Sequence, residues 1–168
     1  AESGEFGVSE APESAIAVVS AIHGAGDGFS CVVAPGGSVR CWGYNIYGQL
    51  GLGHTNIVGD NELPSASPVV SLSGSAVSVA CGDDHTCAVL SGGSVRCWGR
   101  NNYGQLGLGH TNTIGDNELP SASPAVSLGG AAVSVACGYY HTCAVLSGGS
   151  VRCGGYNGNG ELGLGHTW

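Results

Sequence analysis

The sequence predicts an all-β protein: three four-stranded, propeller-type blades built from 56-residue repeats, forming an open arc or part of a ring completed by oligomerisation. Three observations predict it. Long segments recur at one fixed offset, short stretches alternate apolar and polar residues, and glycine supplies 32 of the 168 residues while only 10% are charged. So much glycine with so little charge suits tight turns between close-packed strands rather than a disordered tail. The chain has no Met and no Lys, and long Glu/Gln/Arg stretches suited to helices are absent.

The repeat is read directly. CAVLSGGSVRC at 87–97 recurs letter for letter at 143–153 and as CVVAPGGSVRC at 31–41. YGQLGLGHT at 47–55 recurs at 103–111 and as NGELGLGHT at 159–167, and GDNELPSASP at 59–68 recurs at 115–124. The expected organisation is a leader and permuted final strand over 1–24, repeats over 25–80 and 81–136, and a partial third repeat over 137–168. Pro12 falls in register with Pro68 and Pro124, and Ile16, Val18 and Val19 form an apolar ending that fits a strand completing the third blade. The alternative is a disordered tail.

Within the second repeat the strands follow in order. Ala76–Cys81 alternates and is β-branched, so it predicts the first strand. His85–Leu90 and Ser94–Gly99 flank Ser91-Gly92-Gly93-Ser94, a hairpin turn whose glycines take the positive φ angles. The Gly-rich run 105–111 predicts a connection. Ser121–Leu128 predicts the fourth strand, with Pro124 marking an edge or a strand start.

The net charge of −8 rests on only four cations, Arg40, Arg96, Arg100 and Arg152. Such a chain is poorly equipped to neutralise phosphates, so nucleic acid is an unfavoured partner. No apolar run approaches the ~20 residues of a membrane-spanning helix, and no membrane insertion is expected. A first residue that is Ala, the lack of Met and eight cysteines together predict a secreted chain in an oxidising compartment.

The stretch VSVACGDDHTCAVLSGGSVRCWGRNNYGQLGLG resembles the repeat of the regulator of chromosome condensation family. The second copy carries Gly82, His85, Thr86, Trp98, Gly99, Asn102, Gly104, Gln105, Leu106 and Gly107 of that pattern. The first keeps Trp42, Gly43, Asn45, Gly48, Gln49, Leu50 and Gly51, with Phe29-Ser30 in place of His-Thr. The third has His141 and Thr142, with Gly154 in the Trp position and Glu161 in the Gln position. The resemblance implies a β-propeller of four-stranded blades, usually seven to a ring, and its cysteine-bearing form is similar to secreted bacterial members.

Cysteines are the first chemical candidates. Cys31/Cys41, Cys87/Cys97 and Cys143/Cys153 each flank one hairpin. They face each other, ready for a disulfide, if the turn holds an odd number of residues; otherwise buried thiols are expected. Cys81 and Cys137 remain, to pair with each other, with another subunit, or to stay free. Zinc on Cys81, His85 and Cys87 is a weak alternative without a C-x₂-C pair, so no metal or other cofactor is expected.

His54, His85, His110, His141 and His166 sit at repeated motif positions, which suits packing and hydrogen bonding better than catalysis; His23 lies outside the motif. Asp60, Glu62, Asp116 and Glu118 offer too few oxygens for calcium and read as solvated loops. No nucleophile elbow, P-loop or HExxH occurs, so the chain is not expected to be an enzyme.

Two functions fit. The first is an extracellular structural protein that self-assembles head to tail into a filament, tube or array. Its unsatisfied blade ends would mate through Pro12, Ile16, Val18, Val19 and Trp168, making the chain its own partner. The second is a secreted module that binds or adheres to a protein or glycan through a face containing Tyr44, Tyr47, Tyr103, Tyr139, Tyr140, Tyr156 and Trp168.

Overall fold

The computed structural model describes residues 24–167. These form three antiparallel sheets, each a meander in sequence order. Blade 1 holds β1 (Gly24–Ala25), β2 (Phe29–Val33) and β3 (Val39–Gly43). Blade 2 holds β4 (Ala76–Cys81), β5 (His85–Leu90) and β6 (Val95–Gly99), and blade 3 holds β7 (Ala132–Cys137), β8 (His141–Leu146) and β9 (Val151–Gly155). Successive blades pack against each other through β2 with β4 and β5 with β7, leaving an open arc.

Among the described residues each blade has three strands where the sequence suggested four, and the segment expected to complete blade 3 lies almost wholly outside them. The segment over 121–128 begins in a 3-10 turn at Pro120–Ala122 and meets β6 through one backbone bond, Val126 N–H to the Val95 carbonyl at 2.8 Å. Pro124 lacks the N–H a ladder would need. Arg96 Nη1 donates to the carbonyls of Pro120 and Ser123, so a side chain fastens this edge instead of a ladder.

The central hairpins follow from their turns. Leu90 N–H bonds the Ser94 carbonyl, and Gly93 N–H bonds the Leu90 carbonyl. This encloses the three residues Ser91, Gly92 and Gly93, with Gly93 at φ +81°. The odd loop sets Cys87 opposite Cys97 on one face, and the same register sets Cys31 opposite Cys41 and Cys143 opposite Cys153. All three pairs are disulfides. Their Cα separations of 4.1 to 4.2 Å are those of closely spaced cross-strand partners.

The long connections are knotted by one asparagine per repeat. Buried Asn101 donates Nδ2 to the carbonyls of His110 and Asn112 and accepts from Leu106 N–H at 3.0 Å. Asn45 does the same with His54, Asn56 and Leu50, and Asn157 with His166 and Leu162. The repeated His positions 54, 110 and 166 therefore lend their backbone carbonyls to structure.

Candidate functional site

The turns before β2, β5 and β8, together with the residues just after β3, β6 and β9, gather at one end of the blades. Backbone bonds hold them there: Tyr44 N–H to Gly28, Arg100 N–H to Asp84 and Tyr156 N–H to Tyr140. The hairpin scaffold repeats almost unchanged, but this rim does not. Gly28, Asp84 and Tyr140 occupy equivalent places, as do Tyr44, Arg100 and Tyr156.

Diversification at Tyr139, Tyr140, Tyr156 and Arg100 places three tyrosines and an arginine beside the repeated Tyr103. Tyr103 lies 4.8 Å from Tyr140 and 5.2 Å from Tyr156 between ring centroids, and Tyr139 lies 4.4 Å from Tyr140. The Arg100 guanidinium sits 4.6 Å above the Tyr47 ring and 5.3 Å from that of Tyr140. It also ion-pairs with Asp84 at 3.1 Å, which holds its plane. Tyr139 remains 62% exposed and Tyr103 45%, so the cluster is organised but open. Asp83 beside it has its carboxyl raised by partial burial and by Asp84 and Asp27. The Tyr139 phenol is pushed up to about 12, first by its hydrogen bond with Tyr140 and then by Asp83. It stays neutral at physiological pH and can donate or accept a hydrogen bond.

Such a surface is suited to recognition. Tyrosine and arginine supply large contact area with polar tips, and prepaired rings lose little freedom on binding. Sequence reasoning marked the tyrosines but missed Arg100 and Asp84. The signal was present in the positions that differ between otherwise matching copies.

Of the three alternatives open for Cys81 and Cys137, the structure has both as free thiols and not paired with each other. They occupy equivalent places one period apart, so their side chains point the same way rather than at each other. Cys137 Sγ donates to the Ala80 carbonyl at 3.5 Å. A Cβ on Gly24 would lie 2.6 Å from Cys81 Sγ, so that thiol fills the same kind of gap against blade 1. Burial pushes both thiols up to about 12 and makes them inert.

His85, Cys87 and Cys137 place ligand-type atoms within 4.8 Å of one another, but Cys87 is bonded to Cys97 and is not a metal thiolate. His85 is buried against Thr142, with Nε2 and Oγ1 2.8 Å apart. Among the described residues no constellation of nucleophile and base appears at the rim. Pro12, Ile16, Val18, Val19 and Trp168, expected at an assembly contact, lie outside the described residues, as does His23.

The class defined by these features is a blade-repeat module with a side-chain-rich rim. Models of the regulator of chromosome condensation (RCC1) repeat match residues 22–49, 76–105 and 132–161, and in a second form 36–89 and 92–145. The chain belongs to the RCC1 repeat family.

Among its relatives, the mouse protein "Probable E3 ubiquitin-protein ligase HERC4" is 38% identical over 144 residues, 85% of this chain and 13% of that protein. The Arabidopsis thaliana ultraviolet-B receptor UVR8 is 36% identical over 156 residues, 88% of this chain and 33% of the receptor. The chain thus spans a third or less of the length of these relatives. Human WBSCR16 superposes with a TM-score of 0.65 at 26% identity, covering 79% of this chain and 32% of that one. Yeast RCC1 (Prp20) gives the same score at 21% identity over 84% of this chain and 33% of that one, a likeness of fold.

Proposed function

We propose that this chain is a protein-binding module whose recognition face is the rim formed by Tyr103, Tyr139, Tyr140, Tyr156 and Arg100. The observation that carries this reading is that near-identical repeats diverge at the rim, and that Tyr139, Tyr140, Tyr156 and Arg100, all at diverged positions, gather beside the repeated Tyr103 into tilted and edge-on rings around a clamped guanidinium. Yeast Prp20, of the same fold, is described in complex with Kap60 and in terms of its binding to Gsp1p and histones. The whole relatives' activities, ligation included, are not assigned to it, and no catalytic role is proposed.

The test is affinity capture from the native source with the full chain, comparing wild type, Tyr139→Ala and Arg100→Ala. Loss of a central contact worth about 2 kcal/mol weakens binding about thirtyfold. A partner held by wild type and released by both variants, with melting unchanged, supports the proposal. Equal retention by all three overturns it.

A second reading has its own observation. On blade 2 Val95 is only 1% exposed, whereas its counterpart Val151 on blade 3 is 55% exposed. An added strand or blade on β9 would bury that face, and Ile16, Val18 and Val19 of this chain or of the next offer suitable chemistry. Head-to-tail polymers would follow if the strand crosses between copies. Light scattering that finds only a 16.6 kDa particle at every concentration would remove the head-to-tail polymer. Three hairpin disulfides support secretion into an oxidising compartment. Thiol titration of the native chain should then find two reactive groups after unfolding, and eight would refute it.

A further inference from the structure

The interface between blades 1 and 2 is closed by one ring. Trp98 is wholly buried there, and its Nε1 donates to the Gln49 carbonyl at 2.9 Å. The ring fits closely: a Cβ on Gly51 would stand 2.7 Å from Trp98 Nε1 and 2.9 Å from Val70 Cγ1. Thr86 Oγ1 donates to the same Gln49 carbonyl at 2.8 Å.

One period later the indole is missing. Gly154 takes the place of Trp98, and a Cβ built on it would meet nothing nearer than 4.0 Å. At Gly107, the counterpart of Gly51, only Val126 Cγ1 remains close, at 2.9 Å. A cavity of about 180 Å³ lies between the blades, walled by residues that include Leu106, Val126, Val135, Cys153 and Gly154. That volume is large enough for a benzene-sized guest, in a cleft that opens to solvent on one side. Ser127 and Arg152 stand at its exposed side.

Of the polar groups there, one has turned to other partners and one has none. Thr142, the counterpart of Thr86, has turned to His85 and Cys137, so neither donor that meets the Gln49 carbonyl has an equivalent at Gln105. Gln105 lines the cavity and is wholly buried, and its Nε2 has no acceptor because Tyr140 replaces Asp84, the partner of Gln49 Nε2. The space is ring-sized, with walls mostly apolar and a carbonyl where the twin interface receives an indole N–H.

We propose that the cleft between blades 2 and 3 is a binding site for a small free ligand of the indole class, a planar aromatic ring bearing one N–H donor. The ring lies between Leu106, Val126 and Val135 where Trp98 lies in the preceding interface, and its N–H is directed to the Gln105 carbonyl. The proposal is independent of the rim.

Indole itself is the probe, titrated into the full chain by calorimetry and followed by thermal melting. Saturable one-to-one binding is expected. At ten times its dissociation constant, indole should raise the melting temperature by roughly 3–5 °C. N-Methylindole, with the ring but no donor, should bind up to about tenfold more weakly. Gly154→Trp supplies the ring covalently, so it should melt higher and bind no indole. If that variant does not fold, amide shifts in the wild type serve instead, and indole should move Leu106, Gly107, Val126, Thr142 and Gly154 before any others. No binding by wild type, binding by Gly154→Trp equal to wild type, or shifts centred elsewhere overturns the proposal. Binding that appears only in Trp168→Ala also overturns it, because the chain's own tryptophan would then be the occupant.

Discussion

Blades 2 and 3 share the hairpin HTCAVLSGGSVRC letter for letter and hold it under different conditions. In blade 2 all six residues of β5 are buried, whereas in blade 3 only Ala144 and Leu146 of β8 are. The difference arises from neighbours. Blade 2 is covered by blade 3 on one side, is sealed to blade 1 by Trp98, and has 121–128 fastened over β6. Blade 3 has Gly154 at its seal and, among the described residues, no segment over β9. In repeat proteins stability is close to a sum of unit and interface contributions, so identical units differ through their interfaces.

Removing the seal from the better interface is the strongest way to break the contrast. Trp98→Gly should turn the blade 1–2 junction into a copy of the blade 2–3 junction and cost about 4 kcal/mol in denaturant unfolding. Added indole should then recover part of the loss. Breaking a hairpin bridge comes next. Opening Cys87–Cys97 by paired Ala substitution should cost about 3 kcal/mol, as expected for releasing a short loop. The same change at Cys143–Cys153 should cost less in packing, since Cys153 is only half-buried.

Acid should single out blade 2. Burial, reinforced by nearby His141, lowers the His85 imidazole to about 4 from 6.5. A lowered value means that the fold favours the neutral ring, so its stabilisation is complete above pH 6.5. It is lost as pH falls towards 4, by roughly 3 kcal/mol in all. His85→Phe, which copies Phe29 of blade 1, should flatten that stretch of the pH–stability curve. The smallest effect is at the edge: Val151→Ala should change stability by less than about 0.5 kcal/mol, against about 2 kcal/mol for Val95→Ala. Similar costs for the two would mean that β9 is covered in solution.

Much of this was legible in the sequence, because period, alternation and turn glycines report local geometry. The β4–β6 hairpins appear within a residue of their expected ends. The cysteine pairing depended on turn type, which Gly93 and the two backbone bonds of Leu90 decide. The fourth strand was not legible, since alternation over 121–128 cannot show that Pro124 and the Arg96 side chain replace a ladder. The state of Cys81 and Cys137 stayed open in the sequence, because only the packing shows that translation by one period keeps the two side chains parallel. Gly154 was visible as a departure, but its meaning required Trp98 in place across the twin interface.

The Gln49 carbonyl, which receives both Thr86 and Trp98, gives the array a direction. Each repeat offers an acceptor forward to its successor. Recombination between such similar copies can excise one whole period without disturbing strand register. The excision that removes 81–136 would still set Gln49 against Thr142 and Gly154. Register would survive that event and fit would not, so the order of the blades is itself inherited information.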